Sequence, residues 1–532
     1  MTQSLAFWQR AALLRAGFAR TPSTYVSFPE PRPRGLAARG IQYKSGNFII
    51  DGDVVEAPGQ TIWDVGQDVE AHRRTAFGFA WLDDLVASGG PDVHMLVWDW
   101  FQKWLQGSSD RSAEAWRPEI VADRLIRLVN HGTVFLKGRT AEDQKLYFKT
   151  VAQHYRFLVL TWQRTEGALD RINALCALIF AAHATQAADA EVEKHETVLA
   201  QMCDTYIAED GGIETRNPEE LMQVFSLLSW TARVIDALER EPNTGISRAV
   251  ARVAPCLRSL RFPNGNLAVF QLGGPGAPGR LDQALSDSRI KTPAHTEGAM
   301  GYARLSASRS TLLMDTGIAK TLPSTSAFEF SVGRHPVFVT PGASPDFGSL
   351  WAEKGRRSAG HTMLVLDRAD TELGFGGGNV RRSETDDVVT LEYTHDAYLK
   401  KFGVSVSRRF TLSRDGKTLA GEERLTIPDD DSRKLFELGA RGARKLRLPA
   451  TLHFHLAAST EPQSDLGGSV ISITLNNGQV WGFRHAGGKV TLKPSVHMAP
   501  NRLRPLATKQ IQVSADMTAD GLELVWLLER LS

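Results

Sequence analysis

The stretch "PNGNLAVFQLGGPGAPGRLD", residues 263–282, divides the sequence into two parts with different hydrophobic patterns. It is rich in glycine and proline, the residues that most often interrupt regular secondary structure. Before it, apolar residues recur every three or four positions; after it, they alternate with polar residues. These are the periods of amphipathic helices and of strands with one buried face. The stretch therefore predicts a boundary between an α-helical domain and a β domain.

The part before this boundary, from about residue 65 to 260, shows the helical period in at least seven consecutive segments. Short polar connections predict that successive helices are antiparallel neighbours, as in helical hairpins. One helix start is especially clear, because Asn217 is a good N-cap, Pro218 suits the first helical position and Glu220 completes a capping box. We expect these hairpins to form a toroid or a solenoid.

The part after the boundary consists of short runs with strand-like alternation. Asp415-Gly416 and Asn477-Gly478 stand between such runs, and both dipeptides are typical of tight hairpin turns. Runs of helices followed by runs of strands predict separate α and β layers. The predicted fold class is multidomain α then β, with an α/α toroid of helical hairpins followed by a large antiparallel β-sandwich. The predicted domains are an N-terminal segment at 1–64, the toroid at 65–275 and the sandwich at 276–532.

The composition is that of a globular protein without an excess of either charge. Apolar residues make up 42% of the chain, and 62 basic residues against 60 acidic ones give a net charge of +2. General nucleic-acid binders carry a strong basic excess, so no nucleic-acid partner is expected. The three cysteines, Cys176, Cys203 and Cys256, lie far apart in apolar surroundings, which indicates buried free thiols.

No window of the sequence is as long and apolar as an integral membrane span, which needs roughly 20 residues. At the N-terminus, Arg10 and Arg15 interrupt the apolar core that a signal peptide requires, so a cytoplasmic location is expected, with the periplasm as the alternative. This segment is either a basic helix that lies on a membrane or, more simply, a terminal helix packed on its own domain. The apolar side of such a helix would comprise Phe7, Trp8, Leu13, Leu14 and Phe18.

Residues 124–136, "RLIRLVNHGTVFL", follow the pattern of a buried helix until Asn130 and His131 interrupt the apolar face. Gly132 comes directly afterwards. One interpretation is a helix end, where asparagine and glycine are both favoured. The other is a polar pair in a cleft, because asparagine supplies an amide donor and histidine titrates near neutrality. The local pattern alone favours the helix end.

The order of the two parts and five motifs resemble the heparinase II/III-like polysaccharide lyases, which are related to alginate and chondroitin lyases. The resemblance covers most of the chain, from about residue 30 to 532, and implies an α/α toroid and a β-sandwich with the substrate cleft between them. The motifs are "NHGT" (130–133), "EDGGIETRNPEEL" (209–221), "STSAFEFSVGRHPVFVTPG" (324–342), "AGHTMLVLD" (359–367) and "THDAYLKKFGVSVSRRFTLSRDGKTLAGEERL" (394–425).

Lyases of this family cut a glycosidic bond by β-elimination beside a uronic acid, so the resemblance implies an acidic, uronate-containing polysaccharide as the substrate. A base removes the proton α to the carboxylate, and a donor protonates the leaving oxygen. Asn130 would neutralise the carboxylate, and His131 would act as the base or support it. His361 matches the second histidine of the family's site, and Tyr398 is the candidate proton donor.

The resemblance also suggests residues that bind the substrate. Arg216 and Asn217 precede a helix that would face the cleft, and helix N-termini attract anions such as a substrate carboxylate. The cap explains Asn217 by itself but does not explain Arg216. His395, in "THDAY", and Tyr302 complete this set, and Tyr302 is an alternative to Tyr398 as the proton donor.

The sequence departs from the family at three positions. Leu322 stands where the family commonly has a histidine, and Thr340 replaces an acidic metal ligand of some relatives. With only His361 left, the structural zinc of those relatives is expected to be lost, because such a site needs three or four protein ligands. Phe225 occupies the place of the catalytic tyrosine of the alginate-lyase relatives, and phenylalanine transfers no proton.

Three functions are therefore compatible with the sequence. The first is a polysaccharide lyase, which requires Asn130, His131 and His361 to converge in one cleft. The second is a non-catalytic carbohydrate-binding or polysaccharide-assembly protein on the same scaffold, which the three departures favour. The third, a glycoside hydrolase, needs two carboxylates across a sugar, for which Asp210 and Glu214 are the candidates. The sequence leaves the oligomeric state, the particular polysaccharide and the mode of cleavage open.

Overall fold

The computed structural model describes residues 4–27, 35–107, 112–185, 189–237, 241–274, 276, 279–344, 347–440, 446–465, 470–499 and 502–532. The chain forms two compact units. The helical unit comprises Met1–Ala208, Met222–Arg252 and Gly279–Lys291, and the sheet unit comprises Glu209–Leu221, Val253–Pro278 and Thr292–Ser532.

Helices dominate the first part of the chain, as the sequence predicts, and one short hairpin, β1 (Asn47–Ile50) and β2 (Asp53–Glu56), precedes most of them. The helices are α1 (Phe7–Ala16), α2 (Ala37–Lys44), α3 (Glu70–Phe77), α4 (Ala80–Ala87), α5 (Val93–Gln106), α6 (Pro118–Asn130), α7 (Gly132–Leu136), α8 (Ala141–Thr161), α9 (Ala168–Thr185), α10 (Asp189–Tyr206), α11 (Pro218–Asp236), α12 (Thr244–Ser259) and α13 (Arg280–Ser288).

The core of the helical unit forms where α6 packs on α8 and α9, and α9 on α10. A buried cation is part of it. Arg124 of α6 is fully buried, and its Nε donates to Nε2 of His154 at 2.8 Å. Its guanidinium also lies 4.8 Å from the ring centre of Trp104 and 5.3 Å from that of Trp116. Stacking and hydrogen bonds thus compensate the burial of this charge.

The second part of the chain is built of strands with four short helices or turns between them: α14 (Ser349–Gly355), a 3-10 turn at Ser358–Gly360, α15 (Leu399–Phe402) and α16 (Asp430–Gly439). The strands are β3 (Gly298–Ala299), β4 (Tyr302–Ala307), β5 (Ser310–Asp315), β6 (Phe328–Val332), β7 (His335–Phe338), β8 (Leu364–Leu366), β9 (Val380–Glu384), β10 (Val388–Tyr398), β11 (Val404–Ser413), β12 (Thr418–Thr426), β13 (Leu448–His455), β14 (Thr460–Ser464), β15 (Ile471–Leu475), β16 (Val480–Ala486), β17 (Lys489–His497), β18 (Leu506–Met517) and β19 (Leu522–Arg530).

These strands form three antiparallel sheets, with the orders β14-β15-β16-β19-β12-β11-β10-β9, β17-β18-β13-β8 and β3-β4-β5-β6-β7. Their inward side chains share one core, in which Trp526 lies 5.0 Å from Phe454 and 6.0 Å from Phe328 between ring centres. Both predicted hairpin turns are confirmed: Asp415-Gly416 joins β11 to β12, and Asn477-Gly478 joins β15 to β16. The predicted order of a helical part and antiparallel sheets is confirmed too.

The observed units do not follow the predicted domain boundaries everywhere. Residues 209–221 and 253–278 carry part of the helical pattern but group with the sheets. The reason for the first of these segments is a set of hydrogen bonds from its Arg216 to backbone carbonyls of Met300, Gly301 and Ile318. Hydrophobic period reports whether a segment is helical, but it does not report which neighbour the segment packs on.

Candidate functional site

The Asn-His pair lies at the junction of two helices in the helical unit. α6 ends at Asn130, His131 has non-helical backbone angles (φ −96°, ψ 19°), and α7 begins at Gly132. Both side chains are nearly buried, with 3% of each residue exposed. The helix end that the sequence indicates is therefore present, and it places the amide and the imidazole inside the unit.

His131 is held by a carboxylate that the sequence analysis did not select. Its Nε2 lies 2.8 Å from Oδ1 of Asp83 on α4, and Oδ2 of the same carboxylate accepts a hydrogen bond of 2.8 Å from Nε of Arg127. Burial opposes ionisation of Asp83, but Arg127 and His131 outweigh it and hold the pKa of this carboxyl below its ordinary value. Two adjacent aspartates within the apolar run "AWLDDLVA" were the signal available in the sequence.

Three polar atoms of Asn130 and His131 have no hydrogen-bond partner in the described residues. Both amide atoms of Asn130 and Nδ1 of His131 are buried and make no hydrogen bond within the described part of the chain. Buried polar groups are normally paired, so such atoms indicate a water molecule or a ligand. The Asn-His pair thus keeps hydrogen-bonding capacity that no described residue uses.

Tyr25, in the N-terminal segment, packs on Gly132 of the Asn-His-Gly motif. The ring of Tyr25 lies so close to Gly132 that a Cβ at this glycine would meet Cε2 of Tyr25 at 2.7 Å. The Tyr25 and Tyr147 hydroxyls are 2.9 Å apart, and that of Tyr147 donates to the carbonyl of Leu128 at 2.6 Å. Tyr25 is 5% exposed. A bulky tyrosine thus packs directly against the backbone of the Asn-His-Gly motif.

In the sheet unit, Arg216 is already engaged with an internal carboxylate. The residue has left-handed backbone angles (φ 56°), is 8% exposed and forms an ion pair with the fully buried Asp315. Its guanidinium carbon lies 4.6 Å from the ring centre of Tyr302, whose hydroxyl donates to the carbonyl of Arg216 at 2.5 Å. Burial opposes the charged form of Arg216. The attraction of Asp315 is stronger than this effect, so the pKa of the Arg216 guanidinium is raised. Binding of a substrate carboxylate by Arg216 stays a prediction.

The predicted N-cap at Asn217 is confirmed. Its Oδ1 accepts hydrogen bonds from the backbone N–H groups of Glu219 at 2.9 Å and Glu220 at 3.1 Å. Two donors at the start of α11 are satisfied in this way. The cap accounts for Asn217 without a substrate.

The remaining candidates of the sheet unit are buried. His361 follows the 3-10 turn, is 1% exposed, and shares a hydrogen bond of 3.0 Å between its Nδ1 and the carbonyl of Arg357. Burial lowers the pKa of His361. His395 on β10 lies 3.2 Å from the hydroxyl of Ser326, and burial, with Arg408 as a second cause, lowers its pKa to about 3. Both histidines are therefore neutral at physiological pH.

The two candidate proton donors have internal partners. The hydroxyl of Tyr398 donates to the carbonyls of Leu364 and Ala369, each at 3.3 Å, and that of Tyr302 donates to Arg216. Burial raises the pKa of both phenols above the ordinary value. Each hydroxyl thus donates to backbone carbonyls of its own unit. A role of either tyrosine in proton transfer stays a prediction.

Leu322 and Thr340 stand at the positions where the resemblance implies that zinc ligands are lost, and that loss stays a prediction. Leu322 and Thr340 are each 3% exposed, and the backbone N–H of Thr340 donates to Oε1 of Glu329 at 3.2 Å. No three His, Cys, Asp or Glu side chains in the described residues are grouped to hold an ion. Phe225, at the place of the family's tyrosine, is fully buried in α11.

The two carboxylates considered for a glycoside hydrolase, Asp210 and Glu214, bind different partners. Oδ1 of Asp210 accepts from the backbone N–H of Gly212 at 2.9 Å, and Oδ2 accepts from that of Met300 at 2.8 Å. Glu214 is exposed and pairs with Nζ of Lys320 at 2.7 Å. Lys320 holds the pKa of Glu214 below its ordinary value, whereas a general acid needs a raised one.

Solved structures of other proteins share the fold of this chain. The chain has the fold of the polysaccharide lyases, an α/α toroid followed by antiparallel β-sheets. Heparinase III superposes with a TM-score of 0.69 over 98% of this chain and 89% of its own, at 12% identity. The heparan sulfate lyase HepC of Pedobacter heparinus gives 0.54 over 98% and 87%, at 13% identity. These likenesses concern the fold.

Sequence comparison gives two further likenesses. Residues 289–527 match the family described as heparinase II/III-like, C-terminal. The chain is also 25% identical over 545 aligned residues to the FtsZ-localized protein C of Caulobacter vibrioides, covering 94% of this chain and 91% of that protein. No helix in the described residues is long and apolar enough to cross a membrane.

Proposed function

We propose that this chain is a non-catalytic binding protein on a polysaccharide-lyase fold, and that it acts with FtsZ assemblies in the cytoplasm. One observation carries the first half of the proposal: the acid and base candidates are closed inside their own units. His131 is 3% exposed and bonded to Asp83, and Tyr25 packs on the adjacent Gly132. The hydroxyls of Tyr302 and Tyr398 donate to backbone carbonyls. A polymer chain needs access to a base and a donor within hydrogen-bond reach.

The second half rests on the relative. The FtsZ-localized protein C aligns with 94% of this chain at 25% identity, about twice the value for heparinase III. A shared fold alone does not assign a function, because one scaffold hosts many. The relative with the higher identity gives a better starting point for the partner than the lyases do.

A second candidate, β-elimination of an acidic, uronate-containing polysaccharide, is favoured by the unused atoms of the Asn-His pair. The amide of Asn130 could neutralise a uronate carboxylate, and Nδ1 of His131 is without a partner in the described residues. This activity requires the segment around Tyr25 to move away from Gly132. The partner would then be the polysaccharide instead of FtsZ.

A pair of assays separates the two functions. Absorbance of the unsaturated uronate product is followed over a panel of acidic polysaccharides, with wild type beside His131→Ala. The proposal expects no signal from either, whereas a signal that His131→Ala abolishes would establish the lyase instead. Co-sedimentation with assembled FtsZ filaments, in the absence of lipid, tests the partner. Recovery of the chain with filaments but not with unassembled FtsZ is the expected result; equal recovery in both would overturn it.

A further inference from the structure

A cavity of about 600 Å³ opens in the sheet unit, and none of the candidate site residues described above lines it. One side is formed by α14 and the 3-10 turn that follows it, where Trp351 and Gly360 line the cavity. The other side is formed by β13, β17 and β18, which contribute His455, Ser495 and Gln510. Small-molecule sites have volumes of roughly 300–1,000 Å³, so the cavity is large enough for such a ligand.

The floor of the cavity is a polar sheet surface. Phe454 and Ile511 belong to the core of the sheet unit, and successive side chains of a strand point to opposite faces. The neighbours His455 and Gln510, which pair across β13 and β18, therefore lie on the outer face of the sheet. The sheet thus presents hydrogen-bonding groups to the cavity.

His455 holds this floor in place. Burial lowers its pKa to about 3, with His453 as a second cause, so the imidazole is neutral at physiological pH and carries one N–H. Its Nε2 lies 2.9 Å from the carbonyl of Ala359, which only accepts, so this nitrogen carries the proton. Nδ1 then accepts from the hydroxyl of Ser495 at 2.8 Å. The oxygen of Ser495 remains an acceptor for a ligand.

The helical side of the cavity adds an aromatic surface and charges of both signs. Trp351 of α14 is half-buried. Nε of Arg357 lies 2.8 Å from Oδ2 of Asp370, and Nζ of Lys354 lies 3.4 Å from Oε1 of Glu353. All four of these charged residues line the cavity. A ligand there meets donors, acceptors and an indole together.

Arg368 gives the cavity a positive charge that is not neutralised. It lines the cavity, is exposed, and forms no ion pair with the residues that the structure describes. Its backbone is left-handed (φ 57°), as is that of Asp367 before it (φ 44°). Such angles are uncommon and unfavourable for residues other than glycine. The chain thus adopts a strained conformation where it places this guanidinium.

We propose that this cavity binds a sugar ring that carries one negatively charged group, a phosphate or a carboxylate. Sugar hydroxyls both donate and accept, so they match the mixed set of Asp370, Lys354 and Ser495. The C–H face of the ring packs on the indole of Trp351. Arg368 pairs with the anionic group, because a planar guanidinium suits both phosphate and carboxylate.

The charges disfavour other ligands of this size. An apolar ligand would take Asp370 and Glu353 out of water without replacing their hydrogen bonds. A ligand with several negative charges would meet the same two carboxylates, and like charges repel at short range. A single negative charge matches Arg368. The cavity uses neither FtsZ nor the Asn-His pair, so its ligand goes beyond the function proposed above.

Isothermal titration calorimetry of the full chain tests the class of ligand. The compounds are glucose, galactose and mannose, each as the free sugar, the 6-phosphate and the uronate. At least one anionic form should bind about tenfold or more tightly than its free sugar, because hydrogen bonds to charged groups contribute that much. The tighter of its phosphate and uronate identifies the anion. Benzoate, a charged ring without hydroxyls, should bind about tenfold or more weakly than that sugar.

Variants locate the site in the same assay. Arg368→Gln should weaken binding of the anionic sugar about tenfold, to the level of the free sugar, whereas Arg334→Gln, at an exposed arginine outside the cavity, should not. Trp351→Ala should weaken the anionic and the free sugar alike, by about fivefold. Its control is Trp162→Ala, at a half-buried tryptophan outside the cavity, which should bind as wild type does.

Three results would overturn the proposal. The first is that no anionic sugar of the panel binds to wild type. The second is that benzoate binds as tightly as the sugars, which would make the cavity a site for aromatic anions. The third is that Arg368→Gln binds as Arg334→Gln does, which would place the sugar elsewhere in the chain. Arg368 is exposed, so its replacement tests the site even if Trp351→Ala does not fold.

Discussion

Nε2 of His131 lies 2.8 Å from Oδ1 of Asp83, so a carboxylate on α4 fixes the imidazole at the end of α6. Arg127 completes the arrangement from the other oxygen of the carboxylate. The histidine of the Asn-His-Gly motif is therefore part of a buried hydrogen-bonded network around a carboxylate. A residue in such a network stabilises the unit whether or not it also takes part in a reaction.

Replacement of Asp83 should remove a stabilising effect that is present near neutral pH. The pKa of Asp83 is lowered in the folded chain, so its contribution is present above the ordinary value of about 4 and is lost as the pH falls below it. Asp83→Asn leaves Arg127 and His131 without their anion and should cost about 2–4 kcal/mol at pH 7. Thermal unfolding from pH 7 to pH 3 should show the gap to wild type closing.

The neighbouring Asp84 is the matched control, because its pKa is shifted the other way. Burial, which Arg39 opposes, raises the pKa of Asp84 to about 6. Its ionisation therefore costs stability as the pH rises from about 4 to 6. As the pH rises through that window, the free energy of unfolding of Asp84→Asn should increase relative to that of wild type. Asp83→Asn should show the opposite trend. Identical pH trends for the two variants would contradict the network described here.

A methyl group at Gly132 should reveal the covering tyrosine. Gly132→Ala places a Cβ 2.7 Å from the ring of Tyr25, and this overpacking should cost about 1–3 kcal/mol. In a Tyr25→Ala background the 2.7 Å contact is gone and the Tyr147 hydroxyl stays at 3.2 Å, so Gly132→Ala should cost less than it does in the wild-type background. Chemical denaturation of the four forms gives the coupling. Additive effects would show that Tyr25 does not lie on Gly132 in solution.

The buried pair of Arg216 and Asp315 should be costly to break from one side. Arg216→Met leaves the carboxylate of Asp315 with only neutral partners, Gln271 and Ser324, and should cost about 3–5 kcal/mol. Adding Asp315→Asn should recover part of that loss, which a double-mutant cycle measures. The exposed pair of Lys320 and Glu214 serves as the control, since Lys320→Met should leave the unfolding midpoint unchanged. Equal losses of stability for Arg216→Met and Lys320→Met would contradict the burial of the Arg216–Asp315 pair.

Glu329 should make stability fall as the pH rises through neutrality. Burial raises the pKa of this carboxyl to about 7, although backbone N–H groups of Val269 and Thr340 donate to it. Because the folded pKa lies above the unfolded one, the stabilising state is the protonated one, and stability is lost between about pH 4.5 and pH 7. Glu329→Gln should gain up to about 3 kcal/mol relative to wild type at pH 8 and nothing at pH 4. Unfolding midpoints at the two pH values provide the check, and a gap that does not change with pH would refute it.

Much of the architecture could be predicted from short stretches. The helical period before residue 260, the hairpin turn at Asp415-Gly416 and the N-cap at Asn217 are all present where the sequence indicates them. Each depends on residues close together in the chain. The boundary of the units was less predictable, because residues 209–221 join the sheets through contacts with residues about 85 to 100 positions away.

The order of helices and strands could be predicted from local sequence, because hydrophobic period, caps and turn residues act within a few positions. Local sequence also indicated Asn130, His131 and Arg216 as candidate site residues. The contacts of these side chains depend on tertiary packing. Asp83, 48 positions from His131, and Asp315, 99 positions from Arg216, become their partners through packing. Packing also determines which side of α1 faces its unit. The side chain of Gln9 is on that side and donates to the carbonyls of Ala113 and Trp116.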